Sequence, residues 1–302
     1  MYIKQIFEFS MTMDNEKFQK VLKRTYKKAD RLAVYGEEHV DQSLTHKGVT
    51  VTYRDSQYKK KVKLIVDSKL AADCSESDMD KYIRKLDKHI KEYFDFIYQM
   101  DDFNLSGMRL IMDIDVRSHK NVLDYLKVIQ RIGRVKGFSQ SDYDCFDDID
   151  RFCLDGNSNG IEFLIYDLEG LLMDQLRKSD INQKKIKAMV KDAEGIIRTE
   201  VRLTKPKAIR SYTDAVDLYG QLVILSQKRQ DIFFDIFTRI IPFGDYFKKD
   251  RVVEIVRKEI KDDVLRRKML LLIALVTEKK SLYFAQKAMN CRYVEKVMEA
   301  FA

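Results

Sequence analysis

The sequence predicts an α+β fold, in which an antiparallel sheet of ferredoxin-like or RRM-like type is followed by a C-terminal all-helical domain. Strand and helix patterns follow one another in the order β-α-β-β-α-β and then α-β-β-α-β as far as residue 204, whereas only helical periodicity follows. We therefore predict two domains, residues 1–204 and residues 205–302. Helices packed on one face of such a sheet would leave its other face open to a ligand.

The first half of the predicted sheet begins with a strand at residues 1–10. Apolar residues at helical spacing follow Asp14 and end at Gly36, which predicts a helix. Two alternating runs, residues 44–53 and residues 61–67, are joined by a polar turn and predict a β-hairpin. The sheet therefore starts with the order β-α-β-β.

Shorter patterns predict the remaining elements. Ser77 and Asp80 form a capping-box pattern in front of an amphipathic helix. The apolar run at residues 108–116 predicts a buried central strand, because it is too short for a helix of its own. Residues 161–167 follow a turn rich in Asn, Gly and Ser, and residues 196–203 alternate cleanly. The last strand is therefore expected to end at residue 203.

The composition is typical of a compact cytosolic protein. The chain has 302 residues, of which 45% are hydrophobic and 34% are charged, with only 2 prolines and 11 glycines. The longest apolar run, residues 269–276, is much shorter than the about 20 residues that cross a bilayer. The start of the chain lacks the layout of a signal peptide, and the four cysteines form no C-x-x-C pair. We expect a cytoplasmic protein that has no contact with a membrane.

The positive charge is concentrated in the last third of the chain. The net charge is +8; residues 205–302 hold 20 Lys and Arg against 13 Asp and Glu, whereas residues 1–204 hold 36 against 35. This asymmetry favours an anionic partner, most simply DNA or RNA. The alternative is a solvated basic surface without a specific ligand.

Three segments resemble the replication-initiation (Rep-like) proteins of Gram-positive plasmids, phages and integrative elements. They are MRLIMDIDV at residues 108–116, DGNSNGIEFLIYDLEGLL at residues 155–172 and IIRTEVRLTKPKAIR at residues 196–210. The resemblance implies a Rep nuclease-like fold that binds origin DNA. It also implies that a tyrosine nicks one strand with the help of a divalent metal held by His and acidic side chains.

The sequence departs from that family in two of its motifs. Many such enzymes carry two histidines one residue apart, but the four histidines of this chain stand alone: His39, His46, His89 and His119. The family's Tyr-Asp-Lys motif is here Tyr166-Asp167-Leu168, without the lysine. DNA binding is therefore better supported than nicking.

A cation site is predicted on the strand that contains Asp113 and Asp115. Residues two apart on a strand point to the same face, so the two carboxylates could share Mg²⁺ or Mn²⁺, with Glu200 as a third ligand. The alternative is that this face is simply solvated, while Ile114 and Val116 face the core.

The predicted catalytic residues are Tyr166 and Asp167. A tyrosine nucleophile would attack the scissile phosphate beside the bound metal. Tyr212 and Tyr219 are also near in sequence. The alternative is that Tyr166 packs in the sheet, as most tyrosines of strands do.

Two basic groups are candidates for contact with nucleic acid. The first is a track along and beyond the last strand: Arg198, Arg202, Lys205, Lys207 and Arg210. The second is the polar turn of the hairpin: Lys59, Lys60 and Lys61, followed by Lys63 and interleaved with Tyr53 and Tyr58. Their alternative roles are ion pairing with Glu200 and other acids, and a merely soluble turn.

Two functions stay open. The first is a Rep-like initiator that binds and nicks origin DNA. The second is a non-catalytic Rep-fold protein of a mobile element, which acts as a regulator or as an inhibitor that binds a host nucleoprotein complex of replication or defence proteins. A covalent protein–DNA adduct formed with Mn²⁺ would distinguish the first from the second. No P-loop, dinucleotide fingerprint, G-x-S-x-G or H-E-x-x-H motif occurs, so the common hydrolase and dehydrogenase classes lack support.

Overall fold

The fold is α+β, with a large antiparallel sheet and several helices. The computed structural model describes residues 2–28, 32–67, 75–132, 135–140, 150–156, 158–178, 183–241, 249–279, 282–289 and 297. Backbone contacts divide the chain into two compact units. The first unit comprises residues 1–112, 158–162 and 200–234, and the second comprises residues 113–157, 163–199 and 235–302.

Strands and helices alternate in the described residues up to Leu203, and helices follow. The strands are β1 (Lys4–Met13), β2 (Leu32–Tyr35), β3 (Glu38–Asp41), β4 (Val49–Asp55), β5 (Lys60–Asp67), β6 (Asn104–Asp115), β7 (Ser139–Gln140), β8 (Arg151–Asp155), β9 (Ile161–Asp167) and β10 (Ile196–Leu203). The helices are α1 (Asn15–Lys28), α2 (Glu76–Tyr93), α3 (His119–Gln130), α4 (Leu168–Lys178), α5 (Gln183–Asp192), α6 (Pro206–Arg210), α7 (Leu218–Gln227), α8 (Arg229–Ile240), α9 (Lys249–Glu259), α10 (Asp263–Lys279) and α11 (Leu282–Met289). No helix within the described ranges has the length and apolar character needed to span a membrane.

The sheet of the first unit has one apolar and one polar face. Its strands follow the order β2-β3-β4-β5-β1-β6-β10, and β1 pairs antiparallel with both β5 and β6. Side chains alternate along β1, so that Phe7 and Phe9 are buried while Glu8 and Ser10 lie on the opposite face. Helix α1 covers the apolar face, where the ring of Phe18 packs edge-on against Tyr53 of β4.

A chain of buried hydroxyl groups joins the helices of the first unit to its strands. The hydroxyl of Thr25 on α1 donates to Tyr53 (2.8 Å), the hydroxyls of Tyr53 and Tyr93 are 2.8 Å apart, and Tyr93 on α2 donates to Asp41 of β3 (2.6 Å). The backbone N–H of Ser43 donates to the other oxygen of Asp41. Burial raises the pKa of both tyrosines, so they remain hydrogen-bond donors at all ordinary pH values.

The second unit contains two apolar clusters. The first lies between strands β8 and β9 and helices α4 and α5: Cys153, Leu164, Tyr166, Leu168, Leu172 and Ala193. The other lies among the last helices: Val256, Met269, Leu272, Ala285 and Val297. Helix α3 lies against β8 and buries Val122, Leu126 and Ile129. The strands of this unit are therefore covered by helices where they meet these clusters.

The structure differs from the sequence prediction in three local details. The capping box is formed by Ser75 and Asp78, not by Ser77 and Asp80. The two short strands β2 and β3 were not predicted, because Leu32 continues the helical spacing of α1. The left-handed backbone of Gly36 (φ 57°) instead makes the turn of a hairpin, whose second strand pairs with β4.

The two contact units do not follow the predicted boundary between residues 204 and 205. Helices α6 and α7 belong to the first unit, where α7 contacts α2, whereas α9 to α11 belong to the second. Helical periodicity identifies the residues that form helices, but it does not reveal the surface on which each apolar face packs.

Prediction for the hydroxyl chain. Replacement of Tyr93 by Phe removes the hydroxyl that donates to Asp41. Asp41 is only 1% exposed, so one of its carboxylate oxygens would lose this donor away from water. We expect Tyr93→Phe to lower the free energy of unfolding by about 1–3 kcal/mol, measured by urea denaturation. The control Tyr58→Phe, at a side chain 88% exposed, should change it very little. Equal effects of the two substitutions would show that the hydroxyl chain does not stabilise the fold.

Candidate nucleic-acid interface

The polar face of the first unit carries a group of basic side chains, which we call the open face: Arg54, Lys61, Lys63, Arg109 and Arg202. Arg54 lies opposite Lys61 in the β4–β5 pairing, and Lys61 and Lys63 are two residues apart on β5. Arg109 lies opposite Ile6 in the β1–β6 pairing. Alternation along the strands therefore places these cations on one face, because none of them can enter the apolar core without a counterion.

Glu8 lies between two of these cations. Its carboxylate accepts hydrogen bonds from Arg109 on β6 and pairs with Lys63 on β5, and its side chain is only 12% exposed. Burial by itself would raise the pKa of Glu8. The charges of Arg109 and Lys63, with their hydrogen bonds, outweigh burial and hold the pKa below its ordinary value. Glu8 therefore stays ionised and fixes both cations.

Gly107 provides the space for this carboxylate. A Cβ atom at residue 107 would lie 3.1 Å from the Oε2 atom of Glu8 and 3.1 Å from the carbonyl oxygen of Leu203 on β10. Both contacts are tighter than an ordinary van der Waals contact. Glycine at this position thus lets Glu8 lie flat on β6 while β10 stays close.

Lys61 lacks a comparable acid. Burial lowers its pKa most, and the charge of Lys63 lowers it further. Glu8 acts in the opposite direction, and Lys59 and Arg54 add smaller lowering effects. No ion pair of Lys61 is found among the described residues. This part of the open face therefore holds more positive charge than its acids neutralise.

The turn between β4 and β5 is the most exposed part of this region. The side chain of Tyr58 is 88% exposed, and Lys59 beside it is exposed as well. Lys60 differs, because it pairs with Asp55, which also accepts a hydrogen bond from Gln19. Of the three predicted lysines, Lys59 and Lys61 are thus available to an anion, and Lys60 is engaged.

The predicted basic track divides into paired and exposed members. The guanidinium of Arg202 lies 2.7 Å from Oε2 of Glu200 (through Nη2) and 3.8 Å from Oε2 of Glu162 (through Nη1). In the second unit, Arg198 makes two hydrogen bonds of 2.7 Å to the carboxylate of Asp113. Lys205 precedes α6 and packs against Gly160, which has a left-handed backbone (φ 67°). Two members are exposed on α6: Lys207 and Arg210.

The three acids predicted to bind a cation have other partners. Asp113 is held by Arg198, Asp115 accepts a hydrogen bond from the backbone N–H of Arg117, and Glu200, which is buried, pairs with Arg202. Within the described ranges, no group of three or more His, Cys, Asp or Glu side chains is placed to hold a metal ion. These three carboxylates are therefore engaged by other partners in this structure, and the cation site stays a prediction of the sequence.

Tyr166 is placed as a core residue. It is 2% exposed and belongs to the apolar cluster beneath α4 and α5, so its hydroxyl has no route to a scissile phosphate in this conformation. Asp167 is also buried, and one of its oxygens lies 3.5 Å from Nδ1 of His119. Tyr219 is 41% exposed and Tyr212 is partly buried. The packing alternative for Tyr166 agrees with this geometry.

Sequence reasoning identified Lys63 but not Glu8, Gly107 or Arg109 as residues of the site. No family motif lies in the first hundred residues, where Glu8 occurs. A signal was nevertheless present: Glu8 is a lone acid in an otherwise apolar alternating strand, and Arg109 has the same parity as Asp113. A charge at such a position predicts an opposite charge on a neighbouring strand.

Comparison with known proteins gave one structural match. No family model matches the chain, and no curated protein matches its sequence. A solved structure described as a rolling circle replication initiator protein from Geobacillus stearothermophilus aligns with 87% of this chain and 90% of its own, at 13% sequence identity and a TM-score of 0.29. A TM-score this low does not establish a shared fold, so the function must be inferred from the residues of the chain itself.

Prediction for Glu8. Replacement by Gln removes the charge that holds Lys63 and Arg109, and we expect a loss of about 1.5–3 kcal/mol in the free energy of unfolding at pH 7, the range for hydrogen bonds to charged groups. Because the folded pKa is lowered, the contribution of Glu8 is complete above the unfolded pKa of about 4.3. It disappears as the pH falls through the lower folded value.

Urea denaturation of both proteins at neutral and acidic pH checks this pH dependence, and the difference between them should shrink at acidic pH. Glu16→Gln is the matched control, since Glu16 forms a fully exposed pair with Lys20 on α1 and should contribute very little to stability. A difference between Glu8→Gln and the native chain that does not vary with pH would contradict the assignment.

Proposed function

We propose that this chain is a nucleic-acid-binding protein whose open face contacts the phosphate backbone. The observation that carries the proposal is the pair of lysines Lys59 and Lys61, which have no ion pair with any described residue and lie beside Lys63 and Arg54, whose acidic partners are Glu8 and Glu37. An anion placed there would relieve this repulsion. Phosphate groups at regular spacing along a strand of nucleic acid meet the requirement for several such contacts at once.

The strand order favours a backbone that crosses the sheet. Strands β5, β1, β6 and β10 are neighbours, and adjacent strands lie about 4.8 Å apart. Lys63, Arg109 and Arg202 are therefore distributed over about 14 Å across the open face. A nucleic-acid strand laid across the strands would meet them in turn, with Lys207 and Arg210 on the helix that follows β10.

Tyr58 favours a strand with unpaired bases. Its ring is almost fully exposed at the tip of the β4–β5 turn and is followed directly by Lys59. An exposed aromatic ring beside a cation stacks on a base of any sequence, while the cation contacts the adjoining phosphate. Single-stranded DNA is the first ligand to test, because the three Rep-like segments of the sequence point to DNA.

Of the two functions open from the sequence, we propose the non-catalytic one, in which a Rep-like protein binds DNA as a regulator or inhibitor. Two observations support it. Tyr166 is buried in an apolar cluster, and Asp113 and Glu200 are paired with arginines. Neither a nucleophile nor a cation site is supported where the sequence predicted one.

Prediction for binding. The double variant Lys59→Gln/Lys61→Gln removes two cations that have no ion pair with any described residue. We expect its affinity for single-stranded DNA to fall about tenfold at low salt. The slope of log affinity against log salt should become shallower by about 0.7 for each lost phosphate contact. Fluorescence anisotropy over a salt series measures both quantities.

The control for this experiment is Lys17→Gln/Lys20→Gln. It removes the same charge from exposed lysines of α1, the helix that covers the opposite face. An equal loss of affinity in the two double variants would mean that net charge, and not the open face, determines binding.

Prediction for catalysis. Incubation of the native chain with labelled single-stranded and supercoiled DNA and Mn²⁺ should yield no covalent protein–DNA adduct, and Tyr166→Phe should bind DNA as the native chain does. An adduct formed by the native chain and lost in Tyr166→Phe would establish the initiator function instead. Denaturing gel electrophoresis detects the adduct, and the anisotropy assay confirms that both proteins bind DNA.

A further inference from the structure

The second unit contains a cavity of about 650 Å³ that the open face does not involve. It lies between α3, the end of β6, strands β9 and β10, and the end of α8. Its floor is apolar and is formed mainly by Ile165, Ile197 and Phe237. This volume falls in the about 300–1,000 Å³ of pockets that bind small organic ligands.

Four polar side chains line the same cavity: Asp115, Arg117, Asn121 and Tyr125. The backbone N–H of Arg117 donates to Oδ1 of Asp115 (2.7 Å), and the amide nitrogen of Asn121 donates to the carbonyl oxygen of Val116 (2.7 Å). These bonds leave the second oxygen of Asp115 and the amide oxygen of Asn121 as acceptors. The rim therefore offers acceptors on Asp115 and Asn121 beside the N–H donors of the Arg117 guanidinium.

Arg117 is held in an unusual conformation at this rim. Its φ of 74° is left-handed, a backbone conformation that non-glycine residues rarely adopt. Its side chain is exposed, and no ion pair joins its guanidinium to any residue that the structure describes. Asp115 is held by the backbone of Arg117, so the guanidinium remains available to an anion from outside.

We propose that this cavity binds one unpaired guanine nucleotide of a nucleic-acid strand, an inference that rests on the proposed function. The apolar floor and the half-exposed ring of Tyr125 fit the two faces of a planar base. Guanine presents two adjacent donors, N1–H and the exocyclic amino group, to the carboxylate of Asp115. Arg117 binds the phosphate, away from the acid.

The polar groups of the rim predict an order of affinity for the four bases. Adenine and cytosine offer the amino group but not the adjacent ring N–H, and thymine offers no amino group. The full chain should therefore bind dGMP more tightly than dAMP or dCMP, and TMP most weakly. Isothermal titration calorimetry with the four mononucleotides measures this order without any contribution from a long phosphate backbone.

Two variants separate recognition of the base from recognition of the phosphate. Asp115→Asn keeps an acceptor for the Arg117 N–H but replaces the carboxylate, and it should reduce the preference for dGMP over TMP about tenfold. Arg117→Gly relieves the backbone and removes the guanidinium. It should weaken the binding of dGMP about tenfold, while the affinity for deoxyguanosine should stay within about twofold of that of the native chain. Thermal unfolding should show that both variants are folded.

The outcomes distinguish this inference from the proposed function. Lys59→Gln/Lys61→Gln should bind dGMP as the native chain does and still bind oligonucleotides more weakly. Equal affinity for the four mononucleotides would overturn the guanine site. So would the absence of any mononucleotide binding while the binding of oligonucleotides still depends on Lys59 and Lys61. Neither result would contradict the proposed binding of nucleic acid by the open face. Binding of a fatty acid such as laurate in place of all four nucleotides would also overturn it.

Discussion

The largely buried carboxylate of Glu8 holds together three neighbouring strands of the first unit. Glu8 lies in the middle of β1 with little access to water, and an ionised group in that position requires opposite charges close by. Lys63 and Arg109 satisfy it from the two neighbouring strands, and this places basic side chains on the same face. The structure of the sheet by itself therefore requires basic side chains on the open face. The cations near Lys61 that Glu8 does not pair with are those available to an anion.

The two units differ in which strand side chains are buried and which elements cover them. In the first, residues of one parity form the apolar face beneath α1, and those of the other parity are half-exposed and charged. In the second, the strand residues Leu164 and Tyr166 lie beneath α4 and α5. A tyrosine at the end of a family-like motif thus becomes a packing residue, since the helices that follow it in the chain cover its ring. In this unit, polar side chains instead group around Arg117, where β6 ends and α3 begins.

Much of the fold could be predicted from the alternation of residues. It identified β1, the β4–β5 hairpin and β10, in which mainly one parity is buried. Strand β6 was predicted from its apolar run and β9 from the turn in front of it, since consecutive side chains of both strands are buried. It missed β2 and β3, which are four residues long and depend on pairing with β4. For the site, the sequence identified Lys61, Lys63 and Arg202 and offered the pairing of Arg202 with Glu200 as an alternative, but it did not identify Glu8 or Arg109. Asp113 and Arg198 were assigned separate roles, although they bind each other, because the pairing of side chains across strands is set by register.

The glycine beside Glu8 has a consequence for how this protein changes over evolutionary time. Any side chain at residue 107 would press on the carboxylate of Glu8 and on the carbonyl oxygen of Leu203. A lineage that loses the acid relieves only the first of these contacts, because the backbone of Leu203 stays in place. Retention of glycine at residue 107 even where residue 8 is no longer acidic is the trace that this packing should leave among its descendants.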